Sequence, residues 1–359
     1  MRLGIIGLPN SGKTTLFNAL TGGEFETSAV SSGMFEVNTS VVKVPDERLD
    51  KLEALYSSKK KTNATITYTD VGGLDKGIGE GGLEGPLRSE LQQVDGFVHV
   101  VRAFESDVVP HPYESVDPQR DLDIIDSEFL FLDLAAVEKR LERIESEINM
   151  KGKRADENLL DEKPLMERLK THLENEKPLR DLDFSEREIK MMGGFGFLSL
   201  KPVLIVINLG DERTTGDDQI NYSYDKANHV GIQAALEAEL AQLDPEDADM
   251  FMEEYGITEL SADKVIRLSY DLLGVQDFLT AGESEVRAWT IPAGATAFEA
   301  AGAIHTDIQK GFIRAEVIPY ADLMALGGEK EAKAAGKMRL ESKEYIVQEG
   351  DILVFRHSK

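Results

Sequence analysis

Residues 7–14 read Gly-Leu-Pro-Asn-Ser-Gly-Lys-Thr, directly after the apolar run "RLGII". The spacing is G-x-x-x-x-G-K-[ST], and it restricts the fold more than any other stretch of the chain. Glycines let backbone N–H groups approach a β-phosphate, the lysine reaches the β- and γ-phosphates, and the next hydroxyl can ligand Mg²⁺. The positive end of the following helix points at the same oxygens. Such a loop needs a strand before it and a helix after it. Both are legible, in the β-rich "RLGIIGL" and the helix-forming "KTTLFNALTG". Lys13 is thus a candidate for phosphate binding and charge stabilisation, and Thr14 for the metal.

The rest of the first 120 residues fits that requirement. "VNTSVVKV", "ATITYTDV" and "GFVHVVRAF" read as strands, and "DERLDKLEALY" reads as a helix. "KPVLIVINL" (201–209) adds another buried strand. This alternation predicts an α/β domain with a mainly parallel sheet and helices on both faces. Two further motifs sit at strand ends. Asp70-Val71-Gly72-Gly73 matches D-x-x-G, in which Asp70 holds the Mg²⁺ shell and the Gly73 N–H senses the γ-phosphate. Asn208-Leu209-Gly210-Asp211 occupies the place of the N-K-x-D base-reading motif without its lysine. Leu209 can lie against a base plane. Asp211 can accept from two adjacent donors, which leans toward guanine.

Between the strand blocks, Leu134, Val137, Leu141, Ile144 and Ile148 recur at alternating spacings of three and four, and Met166, Leu169 and Leu173 repeat the pattern. This seam predicts an antiparallel coiled-coil hairpin inserted into the sheet domain, with "NMKGKRADEN" as its turn. The final stretch, with strand-like "VRAWTI", "AEVIPY" and "YIVQEGDILVFR" and helix-like "TAFEAAGAIHTDI", predicts a small α+β module. The expected domains are 1–122 with 199–277 for the phosphate-loop domain, 123–198 for the insertion and 278–359 for the last module.

Composition narrows the partners. The chain has 359 residues, no cysteine and a formal net charge of −26. Disulfide and thiol chemistry are excluded, and broad non-specific nucleic-acid binding, DNA included, is disfavoured. The apolar runs are too short to span a bilayer, and the first strand starts without a signal peptide, so the reading is soluble, cytoplasmic and free of membranes. None of the six histidines lies within four residues of another, which leaves no metal-ligand spacing.

Taken together, "GLPNSGKTTLFNALT", "DVGGLDKG", "VDGFVHVVRAFE", "EVRAWTIPAGATAFEAAGAIHTDIQKGFIRAEV" and "AAGKMR" followed by "YIVQEGDILVF" resemble the Obg-like ATPase family over nearly the whole chain. The resemblance implies a Ras-like nucleotide-binding domain, a coiled-coil insertion and a C-terminal TGS (ubiquitin-like) module. It also implies hydrolysis of ATP in preference to GTP, and association with ribosomes. Asn10, Ser11, Gly12, Lys13, Thr14 and Thr15 then become binding positions, and Gln233-Ala234 falls where a loop touches the base. Leu74 takes the slot in which Ras-like proteins keep a water-orienting glutamine. His111 matches a loop histidine that is a candidate for catalysis. The first switch departs from the family pattern: Met34 stands where a Mg²⁺-binding threonine is expected, leaving Ser31, Ser32 or Thr39 as substitutes. Against the net charge, ribosome contact would come from a local patch such as Lys151, Lys153 and Arg154.

Overall fold

The computed structural model describes residues 1–23, 37–72, 83, 85–151, 157–210, 219–255 and 260–358. In chain order its strands are β1 (Arg2–Ile6), β2 (Val37–Lys43), β3 (Lys61–Thr62), β4 (Thr65–Val71), β5 (Gly96–Arg102), β6 (Val203–Asn208), β7 (Ala227–Ile232), β8 (Val275–Thr280), β9 (Val286–Pro292), β10 (Phe312–Pro319), β11 (Arg339–Glu341) and β12 (Asp351–His357). The helices that matter most for the site are α1 (Lys13–Thr21), α2 (Glu47–Tyr56), α3 (Pro86–Gln93), α4 (Pro118–Lys151) and α5 (Glu157–Glu174). Two compact units form, Met1–Val41 with Thr67–Leu272 and Val42–Ile66 with Leu273–Lys359.

The first unit is built on a sheet of order β2-β4-β1-β5-β6-β7. β1 pairs in parallel with β4 and β5, β5 with β6, and β6 with β7. Every residue of β5 and β6 is buried. That explains why apolar residues follow one another without alternation in both strands, interrupted by the buried His99 and ending at Arg102 and Asn208: a central parallel strand is covered on both faces. Ile6, Phe97, Val101, Ile205 and Ile207 pack with Leu87 and Leu91 of α3 and Leu122, Ile125 and Phe129 of α4. The intervening Val98, Val100, Leu204 and Val206 are buried too, and the helix Ser261–Leu272 packs against β6 and β7.

α4 and α5 form the expected antiparallel pair. Val137, Ile144, Met166, Leu169 and Leu173 are buried in one core, with Leu134, Leu141 and Ile148 packed against it. Glu138 meets Lys170 and Glu145 meets Lys163, so the partners run in opposite directions. At its foot the pair is tied to the chain re-entering the sheet. Asp133 accepts from Leu198 N at 2.9 Å, and from Ser199 N at 2.8 Å and Ser199 Oγ at 2.6 Å. Burial still pushes the Asp133 carboxyl up to about 6.

The second unit differs from the sequence reading in its membership. Residues 42–66, expected with 1–122, group with the C-terminal residues, and the unit resumes at Leu273 instead of 278. Its sheet has the order β11-β10-β12-β8-β9-β3, so the two-residue β3 completes an edge by pairing in parallel with β9. Arg48 bridges Asp46 and Glu349, whose other oxygen accepts the Asp277 N–H at 2.7 Å. Ser58 Oγ donates to Gly282 O at 2.6 Å. Of the strand-like stretch "YIVQEGDILVFR", only the part from Asp351 onward forms a strand, β12. Asp351 accepts from Gln348 N and Tyr345 Oη, which coils the preceding residues around its carboxylate. Only Ile346 makes a bridge, to Thr296.

Candidate functional site

The phosphate loop runs from the end of β1 into α1. Gly7 has φ 154°, Asn10 has φ 62° and Gly12 has φ 98°. A Cβ on Gly7 would overlap Val100 O, and one on Gly12 would overlap Asn208 Nδ2. The glycines are therefore required by close approach as well as by backbone conformation. No side chain caps the start of α1, and its first turn carries no acidic residue. The positive end of the helix favours an anion there. Lys13 Nζ lies over the loop, donating to Gly7 O at 3.0 Å and Leu8 O at 2.9 Å. Gly12→Ala is expected to lower nucleotide affinity at least about tenfold and to cost about 1–3 kcal/mol of stability. Calorimetry and thermal unfolding check both effects.

At the end of β4, Asp70 Oδ2 accepts from Thr14 Oγ1 at 2.8 Å. Asp70 is buried, and its Oδ1 has no hydrogen-bond partner among the described residues. Burial raises its pKa, opposed by the Thr14 hydroxyl and the Lys13 charge. A buried carboxylate oxygen without a donor, beside a threonine hydroxyl, is a hard-oxygen pair of the kind Mg²⁺ takes together with phosphate oxygens and water. These residues fit that ion. Among the described residues no group of three or more His, Asp or Glu gathers where it could hold a metal ion.

Asn208 closes the loop from the other side. Its Nδ2 donates to Ser11 O at 3.1 Å, and its Oδ1 accepts from Ala234 N at 3.3 Å. One side chain thus joins the phosphate loop to the segment after β7, where Gln233 occupies the N-cap position of the helix Ala234–Leu240 without a side-chain cap. Gly210, at φ 64°, is pressed by Phe104, since a Cβ there would overlap Phe104 Cβ. Arg102 holds Phe104 in place: its guanidinium lies 4.4 Å from the ring centroid and donates to Phe104 O and Val109 O.

The loop after Phe104 touches the phosphate loop through Asn10 Nδ2, which donates to Pro110 O at 3.0 Å. The next residue, His111, turns its ring to α4. Nε2 lies 2.8 Å from Asp121 Oδ2, and Nδ1 accepts the Tyr113 N–H at 3.1 Å.

A family model described as "50S ribosome-binding GTPase" matches residues 2–130. Another, YchF-GTPase_C, described as "Protein of unknown function (DUF933)", matches residues 275–358. The chain is 41% identical over 362 residues to the ribosome-binding ATPase YchF of Bacillus subtilis (strain 168), with 98% of each chain covered. The chain belongs to the YchF family. The YchF protein of Escherichia coli O157:H7, of the same description, is 40% identical over 360 residues, covering 99% of this chain and 98% of its own. A solved structure described as the Schizosaccharomyces pombe YchF GTPase matches with a TM-score of 0.83 at 32% identity, covering 99% of this chain and 97% of its own.

Within this YchF fold, the structure brings together Asn10, Ser11, Gly12, Lys13, Thr14, Asp70, Asn208 and Ala234. Thr15 follows on α1, half-buried, and Gln233 stands at the cap beside Ala234. Leu209 is placed otherwise than expected: its side chain packs into the core with Ile207 and Ile220. Gly73, Leu74 and Asp211 lie outside the described residues, as do Ser31, Ser32, Met34, Lys153 and Arg154. Thr39 sits on β2 with its Oγ1 3.3 Å from Thr69 Oγ1. Sequence reasoning missed Arg102, Phe104 and Asp121. The available signal was position, since Arg102 and Phe104 lie at the carboxyl end of a central parallel strand, where ligands of such sheets bind.

Proposed function

We propose that this chain is a Mg²⁺-dependent ATPase acting on the β–γ phosphoanhydride, whose nucleotide cycle governs contact with the ribosome. The observation that carries the reading is the Thr14–Asp70 pair, whose second carboxylate oxygen has no partner among the described residues, set beside Lys13 and a helix start without a side-chain cap. Lys13 binds the β- and γ-phosphates and neutralises the charge that develops as the β–γ bond breaks. Thr14 Oγ1 and Asp70 would hold Mg²⁺, which supplies further charge neutralisation when bound. Asn208 fixes the phosphate loop against the base side. His111 orients the attacking water, in the role that Leu74 cannot fill.

ATP is the preferred substrate on this reading, because the base motif lacks its lysine and the two bacterial relatives above are described as ATPases. The deciding experiment titrates ATP and GTP into the purified protein by calorimetry and follows phosphate release with and without ribosomes. The expected result is sub-millimolar ATP binding, tighter than GTP, with release of phosphate that changes on adding ribosomes. Tighter GTP binding would make the chain a GTPase. Binding without phosphate release would make it a nucleotide-gated adaptor. Lys151, Lys153 and Arg154 remain the proposed ribosome-contact patch.

A further inference from the structure

His111 is held in a closed set of contacts that phosphate binding does not require. Because Nδ1 accepts from Tyr113 N–H, the ring proton is on Nε2, which donates to Asp121 Oδ2. The Asp121 carboxylate is fully engaged, since Oδ1 accepts from Arg120 Nη2 at 2.8 Å and Nε at 3.1 Å. Arg120 also holds Ser115 Oγ and Ser115 O. The His111 and Asp121 side chains are 4% and 3% exposed. Yet the backbone one residue before the ring already touches the phosphate loop, at Asn10.

We propose that Asp121 is a positioning residue that keeps the His111 ring withdrawn from the phosphate loop, so that hydrolysis waits on release of this hydrogen bond. The inference rests on the ATPase reading and on the part of His111 in it. A ring that orients water must present a nitrogen to it, and here both nitrogens are engaged. Asp121 cannot follow the ring. It lies in the first turn of α4, with its N–H on Asp117 O at 3.1 Å and its second oxygen clamped by Arg120. When the ring leaves, the carboxylate keeps Arg120 and is not stranded without a partner. That makes the exchange cheap compared with breaking an isolated buried pair. Since α4 continues into the helical pair, displacement of that pair acts directly on the restraint.

The test compares the full-length parent with Asp121→Ala, Asp121→Asn, His111→Ala and the His111→Ala/Asp121→Ala double variant. ATP affinity is measured by calorimetry and turnover by phosphate release. Asp121→Ala is expected to raise kcat roughly tenfold, the scale of one charge-assisted hydrogen bond, with ATP affinity unchanged. Asp121→Asn keeps the shape and loses the charge, so its rate should fall between. The double variant should turn over no faster than His111→Ala alone. A fall in kcat in Asp121→Ala at unchanged affinity would show that the carboxylate supports the ring instead of restraining it, overturning the proposal. So would a rate rise that persists without His111. If Asp121→Ala does not fold, Asp121→Asn decides alone, and a rate at or below the parent's overturns it. Failure of the underlying reading is visible separately, as no phosphate release in the parent or an unaltered rate in His111→Ala.

Discussion

Lys13→Ala is expected to abolish measurable turnover, lowering kcat by at least about 10³-fold, and to weaken ATP binding by roughly tenfold to a hundredfold. The two effects have one origin. Lys13 stands at the first position of α1 with its Nζ over Gly7 O and Leu8 O, at the rim of the loop. An ammonium there meets the β- and γ-phosphates in the ground state and meets more charge as the β–γ bond stretches. Its removal therefore costs affinity and costs rate more. The fold should survive, because the two carbonyls that lose a donor belong to a loop. Single-turnover phosphate release and calorimetry measure the two quantities independently. A variant that binds weakly and hydrolyses at the parent's rate when saturated would remove Lys13 from the chemistry.

His111→Ala should separate the same two quantities in the opposite proportion. A water-orienting group acts as the nucleophile approaches, so kcat should fall about 10²-fold while ATP affinity stays nearly unchanged. The histidine makes no phosphate contact in the arrangement described, and its bonds run to Tyr113 and Asp121. The Asp121 carboxylate retains Arg120 after the substitution, which limits the loss of stability. A parent-like rate would leave Lys13 and the Thr14–Asp70 pair as the catalytic parts.

What could be read from sequence was local. The phosphate loop declares itself because its glycines, lysine and threonine act within eight residues of one another. The seam of α4 and α5 declares itself because Leu134, Val137, Leu141 and Ile144 recur every three or four residues, as they must to share a face. What was hidden depends on partners far along the chain or on side-chain direction. β3 is two residues long, too short for any periodicity, and is a strand only because β9 lies beside it. Asn208 was legible as a motif residue, but its bond to Ser11 spans 197 positions. Leu209 carries no mark that distinguishes a base-facing leucine from one turned into the core, and the core took it. His111 was legible as a candidate. Its partner Asp121, ten residues on, was concealed by the intervening prolines and by the start of a helix.

The grouping of residues 42–66 with the C-terminal sheet sets an order of events during synthesis. Arg48 and its partner Glu349 are 301 residues apart, and Thr62 and Glu285 are 223 apart. At ordinary elongation rates the first of these gaps lasts roughly 15–60 s. Until β9 is made, α2 and β3 exist without the strand they both pack on, and until the end of the interval Arg48 lacks the Glu349 carboxylate. The nascent chain must close the phosphate-loop sheet across an unfolded bridge between β2 and β4. A chain cut at residue 272 would keep that bridge permanently open, so the last unit cannot be removed as a simple appendage, nor produced alone from residue 273 onward with its sheet intact.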